Sequence, residues 1–148
     1  MAASSLHLFT SAINKINSGA IDVGSETIVC ALVSSGYTVD GNHSVYATQV
    51  ASNECSWSGA SALKKLTNVT LTKSSSTAVK LTADNVTFTA GTAFSAKYAI
   101  LYMDASDELL AYEDLDSGGN EVYGNTITIK WSGGASSGIV FKVRSSGI

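Results

Sequence analysis

Residues 94–114, FSAKYAILYMDASDELLAYED, constrain the fold more than any other stretch of the chain. Phe94, Ala96, Tyr98, Ile100 and Tyr102 alternate with Ser95, Lys97, Ala99, Leu101 and Met103. A strand sends successive side chains to opposite faces, so the first set shares one large, aromatic face. The opposite face begins polar and turns apolar at Ala99, which is expected where a second layer covers one end of a strand. Asp104 to Glu108 supplies turn-competent polar residues, and Leu109 to Glu113 runs back. Two apolar runs joined by a short polar loop read as a β-hairpin, and this one is expected at the centre of the core.

The flanking segments extend a β pattern. Near the N-terminus, Leu6, Phe9, Ile13 and Ile16 follow Ser4 and Ser5 at helical spacing and are followed by Asn17, Ser18 and Gly19. This predicts one amphipathic helix over residues 5–17 with a serine cap, its apolar stripe closing a sheet end or docking on a neighbouring subunit. Glu26 to Val33 is apolar on both faces and reads as a central strand. From Val39 to Ala62 periodicity is poor, although Ser44 to Val50 suits one or two helical turns with Tyr46 and Val50 on one side. Residues 52–61, SNECSWSGAS, read as an exposed loop holding Trp57. Alternation over Lys65–Thr72, Val79–Leu81, Val86–Phe88, Thr126–Trp131 and Ile139–Val143 supplies further strands, with Trp131 on the apolar side. Seven or eight strands separated by turn signals, with no βαβ rhythm, predict an all-β fold. The expectation is one domain spanning residues 1–148, a β-sandwich or jelly-roll-like body with residues 1–19 as N-terminal arm and helix.

Composition then removes several function classes. Only 14% of the 148 residues are charged against 45% hydrophobic, so Ser and Thr carry the polarity of the surface. Such a surface is weakly self-repelling and suits a protein packed against copies of something. The net charge is −3 and the nine Lys and Arg are scattered, with Lys64-Lys65 the one adjacent pair. A nucleic-acid partner calls for a basic stripe, and an anionic membrane surface calls for a polybasic segment; neither is present. The start MAASSLHLFTSAINKI lacks a cationic segment followed by an apolar one, and no stretch has the length of a membrane-spanning helix. Synthesis in a cytoplasm without export is the expectation. Cys30 sits in an apolar run and Cys55 in a polar one, and spacing alone leaves their pairing open.

Few residues offer chemistry. His7 on the expected helix and His43 in a polar loop are the two histidines, and no nucleophile-elbow motif accompanies either. No catalytic set and no cofactor site emerges, and the chain does not read as an enzyme. Asp114, Asp116, Asn120 and Glu121 place four oxygen donors in one Gly-rich loop, the ligand type that Ca²⁺ selects, without the EF-hand spacing. Solvated turn carboxylates are the plainer reading of the same four residues. Trp57, among small residues, is either an interface anchor or a loop-packing residue.

Several segments, taken in order, resemble a family of small structural proteins of tailed bacteriophages. The resemblance rests on a short initial helix, then Ser25–Val33 (SETIVCALV), Ser34–Tyr37 (SSGY) and Asn42–Tyr46 (NHSVY). It continues through Leu81–Phe88 (LTADNVTF), Phe94–Tyr102 (FSAKYAILY), Leu109–Tyr112 (LLAY) and Asn125–Trp131 (NTITIKW), while residues 52–64 depart from the pattern. It implies a virion component, in first place a head decoration (cement) protein that binds the outside of the assembled capsid. Its partners would be the major capsid protein and copies of itself, as a homo-oligomer on the virion. A tail or fibre-associated protein able to bind host glycans is the alternative. Leu6, Phe9, Tyr46 and Trp57 are the expected partner contacts, from the N-terminal helix and the two loops, together with an open sheet edge.

Overall fold

The computed structural model describes residues 6–18, 26–56, 61–75, 78–116, 121–131 and 137–144. In chain order these form β1 (His7–Leu8), α1 (Thr10–Ser18), β2 (Ile28–Val33), α2 (Tyr46–Gln49) and a 3-10 turn (Ala51–Asn53). Then come β3 (Leu63–Lys65), β4 (Thr70–Ser75), β5 (Ala78–Asp84), β6 (Val86–Ala96), β7 (Tyr98–Met103), β8 (Leu109–Asp114), β9 (Val122–Ile129) and β10 (Ser137–Arg144). The fold is all-β and sandwich-like. Three antiparallel sheets run in the orders β1-β8-β7-β2-β3, β10-β5-β4 and β6-β9.

The hairpin expected from the sequence is β7–β8, and it lies at the middle of the five-stranded sheet beside β2. All six residues of β2, and Ala99 to Met103 of β7, are buried, because both faces of this sheet are covered. On one face Tyr98, Tyr102 and Tyr112 meet rings from outside the sheet. Tyr46 stacks on Tyr102 at 3.9 Å, Phe9 tilts against Tyr112 at 5.2 Å, and Tyr37 meets Tyr98 edge-on at 5.9 Å. Such pairs add to the area they bury. The opposite face carries Cys30, Leu32, Ala99, Leu101, Ala111 and Glu113 by register, and β9 approaches it through Val122, Ile127 and Ile129. The buried apolar side chains form one cluster that includes Phe9, Leu81, Phe88, Ile100, Leu110 and Trp131.

Three expectations are corrected. The helix does not begin at residue 5: His7 and Leu8 are extended and pair with Tyr112 and Ala111, and helix geometry starts at Thr10. The open edge of β8 supplies backbone partners that a helix cannot, and the Phe9 N–H donates to the Leu110 carbonyl at 3.1 Å. The serine cap expected before Leu6 lies outside the described residues. Phe94 to Met103 is not one strand either. The chain breaks at Lys97, so Phe94 and Ala96 pair with β9 while Tyr98 onward pairs with β2 and β8. Likewise Lys65–Thr72 splits between β3 and β4 around Asn68, which adopts a left-handed φ of 52°. The split leaves Leu71 41% exposed and Leu66 buried.

The stretch without periodicity is held by backbone rather than by a pattern. Ser34 N–H donates to the Asn53 carbonyl and Cys55 N–H to the Leu32 carbonyl, which lays residues 53–55 along β2. Gly36 fits beneath this segment, where a Cβ would stand 2.8 Å from Asn53 Oδ1. The hairpin loop holds the other side. Asp107, at φ 61°, accepts the Tyr46 N–H on its carbonyl and the Ala47 N–H on its carboxylate, so it caps α2. Tyr46 and Val50 are buried on one side of that turn, as their spacing predicts.

Leu101 is fully buried between layers and Leu71 sits at a sheet edge. In chemical denaturation, Leu101→Ala is expected to cost about 3 kcal/mol and Leu71→Ala no more than about 0.5 kcal/mol.

Candidate functional site

The chemistry-bearing side chains fall into three places: a buried ammonium at the β6–β7 break, a half-buried carboxyl between layers, and an exposed hydroxyl-rich face. Lys97 is the one buried charged residue among those described, at 6% exposure. Its Nζ donates to Asp114 Oδ1 at 2.5 Å and to the Asp116 carbonyl at 2.7 Å, and lies 5.6 Å from the centre of the Tyr98 ring. Asp114 Oδ1 also accepts the Asp116 N–H at 3.1 Å. The backbone repeats the tie, since Lys97 N–H donates to the Val33 carbonyl and Leu115 N–H to the Lys97 carbonyl. One cation therefore fastens the crossing of three strands.

Two of the four oxygen donors of the acidic loop, Asp114 and Asp116, are thus drawn into this junction. Asp114 and the Asp116 carbonyl already face an ammonium, which repels a second cation at that point. Glu121 turns elsewhere, accepting the Ser35 N–H at 2.9 Å and the Ser95 hydroxyl at 3.1 Å. Asn120 lies outside the described residues. Among those described, no three His, Cys, Asp or Glu side chains are grouped for a metal ion.

Each histidine is engaged by a tyrosine. His7 stacks on Tyr112 with ring centres 5.2 Å apart, and His43 Nδ1 lies 2.8 Å from the Tyr37 hydroxyl. Burial pushes the Tyr37 phenol up to about 12, so it stays protonated at neutral pH. The Tyr46 hydroxyl donates to Glu54 Oε1 at 2.5 Å, and burial followed by that bond raises its pKa well above the phenol range. Cys30 and Cys55 are free thiols. Burial moves both upward, Cys55 to about 12, which leaves them as thiols rather than nucleophilic thiolates.

Glu113 is the carboxyl that the sequence reading passed over. It lies on β8, on the face turned towards β9, beside a cleft of about 280 Å³ lined by Leu115, Val122, Ile127, Ile129 and Lys130. Desolvation raises it to about 7, and among the described residues no hydrogen bond or ion pair reaches its carboxylate. Its position in an alternating strand gave no sign of this, because the covering layer comes from a strand nine residues later.

Two of the four expected contact residues turn into the core. Phe9 is fully buried, Tyr46 is 3% exposed, and Leu6 is partly buried against the core. The first two hold the aromatic face of the large sheet, and Trp57 lies outside the described residues. Among the described residues, the large apolar side chains that are exposed are Ile13, Val45, Leu71 and Tyr123. Tyr123 stands out at 77% exposure. It sits opposite Ser95 on the β6–β9 pair, whose solvent side carries Thr87, Thr89, Thr126 and Thr128. Thr87 and Thr128 join hydroxyls across the strands at 3.1 Å. No described helix is long and apolar enough to cross a membrane.

Comparison with protein-family models, with curated proteins and with solved structures yields no match in any of the three.

Two variants probe this chemistry. Lys97→Met strands a carboxylate beside the core, and equilibrium unfolding is expected to show a loss of about 3 kcal/mol, with Asp114→Asn added on top restoring part of it. Glu113 binds its proton more tightly folded than unfolded, so between about pH 4.5 and pH 7 stability falls as pH rises. Glu113→Gln is expected to flatten that slope, with a gain of about 1–2 kcal/mol above neutrality after allowance for solvent screening. Thermal melts of the two proteins at acid and alkaline pH should coincide at the first and separate at the second.

Proposed function

We propose that this protein is a virion structural component of a tailed bacteriophage, a decoration protein that binds the outer surface of the assembled head and stabilises it. The ordered resemblance of its strand segments to that family supports the reading. The observation that carries it is the solvent side of the β6–β9 pair: the Tyr123 ring is held out in solvent, and the exposed hydroxyls of Thr87, Thr89, Thr126 and Thr128 follow along the same two strands. Exposed tyrosine is a favoured interface anchor, since it brings large contact area with few rotors to freeze. Hydroxyls at the rim keep the free protein soluble and still make hydrogen bonds when covered.

The work of such a protein is mechanical. A clamp that binds the expanded shell and not its precursor stabilises the expanded form by mass action. Many copies on one lattice also gain from effective concentration, so each contact can stay modest. The partners are the major shell subunit and neighbouring copies of this chain. Tyr123 also favours a second reading, a tail or fibre-associated adhesin, because a flat ring among hydroxyls suits stacking against a sugar.

Purified protein mixed with undecorated expanded heads is expected to co-sediment with them, at hundreds of copies per particle. Tyr123→Ser should weaken this by roughly tenfold or more while leaving the melting temperature within about a degree. No association at concentrations well above those in a virion removes the head reading. Binding of Tyr123-dependent character to a glycan array, with a handful of copies per particle, selects the tail reading.

A further inference from the structure

We propose that the cleft between β8 and β9 is a binding site for a lysine side chain of a partner protein, with Glu113 as its counter-charge. The inference does not depend on the virion reading. Three observations define the occupant. The first is shape: a volume of about 280 Å³ lies at the lower end for ligand sites and fits one long side chain. The second is the wall. Leu115, Val122, Ile127 and Ile129 are each no more than 7% exposed, and they present aliphatic surface to whatever enters. The third is charge, because the Glu113 carboxyl stands beside this wall with no donor from the described residues.

A desolvated carboxylate without a partner is unfavourable, and an ammonium within about 4 Å of it relieves that cost. A lysine suits both halves of the cleft, its methylene stem lying on the apolar wall and its head reaching the acid. An anion would meet the same carboxylate and be repelled. An uncharged apolar group would fill the space and bury Glu113 further without a partner.

The charged and titratable neighbours are few. Lys130, on β9, lines the same cleft but is exposed and makes none of the ion pairs among the described residues. Cys30, on β2, faces Glu113 from within the sheet and is a protonated thiol. On β8 itself, Tyr112 and Asp114 point to the other face, and Asp114 is engaged by Lys97. Since the occupant needs the ionised carboxylate, its binding strengthens as pH rises through the range in which Glu113 titrates.

The probe is n-pentylammonium, the lysine side chain extended to its Cα, titrated into the full chain and followed by the methyl signals of Val122, Ile127 and Ile129. Saturable shifts are expected above neutral pH, weakened roughly tenfold or more at about pH 5.5. Glu113→Gln should abolish them while its melting temperature shows the fold intact, and n-pentanol should bind far more weakly. A peptide with one central lysine should reproduce the shifts, and its norleucine counterpart should not. Equal binding by Glu113→Gln, or equal shifts from pentanol, overturns the proposal in favour of a merely apolar cleft. An ordinary carboxylate pKa for Glu113 that rises in Lys130→Met also overturns it, because Lys130 would then already fill the role.

Discussion

Covering both faces of one sheet is the constraint from which the rest of this structure follows. β2 and β7 are apolar on both sides, so neither side can face water, and their backbones are paired to strands on each edge. One face takes a sheet layer, and the other takes rings contributed by segments with little regular structure. Phe9, Tyr37 and Tyr46 come from the N-terminal arm, a loop and the short helix α2, and each meets a tyrosine of the sheet. Loops that would otherwise be free surface are thereby committed to the core. This is why Phe9 and Tyr46, two of the expected contacts, are buried: an aromatic beside a polar loop is as useful for closing a sheet as for meeting a partner.

The junction at Lys97 shows how the two layers are kept in register. A buried ammonium gives up hydration, and only close, well-directed acceptors make up for it. Here they come from the end of β8, a carboxylate and a carbonyl two residues apart. Such an arrangement adds little net stability over an apolar substitute of equal volume, but it is intolerant of a shift in either strand. The one-residue slip that would exchange the faces of β7 would also tear this contact apart. The carboxylates of Asp114 and Glu121 are thus part of the scaffold.

Glu113 has the opposite character. It is a charge beside apolar surface with nothing from the described residues to balance it, and such groups concentrate at sites that do something other than hold the fold. β9 contributes to both the cleft and the exposed hydroxyl face: Val122, Ile127 and Ile129 are buried at the first, and Tyr123, Thr126 and Thr128 are exposed.

What the sequence determined by itself was local and periodic. The β7–β8 hairpin, the all-β class, the buried turn at Tyr46 and Val50, and the inward Trp131 were all legible, because alternation and turn chemistry act over neighbours in the chain. Only tertiary structure decided where a pattern would be interrupted. His7 and Leu8 left a helical pattern because β8 had an open edge, Phe94 and Tyr98 parted company because Lys97 found its acceptors seventeen residues later, and Leu71 faced solvent because Asn68 turned the chain. The exposure of Tyr123 and the burial of Phe9 and Tyr46 escaped the sequence pattern for the same reason. Whether an aromatic is spent on the core or left in solvent depends on which layer arrives to cover it, and that layer is set by pairings between distant strands.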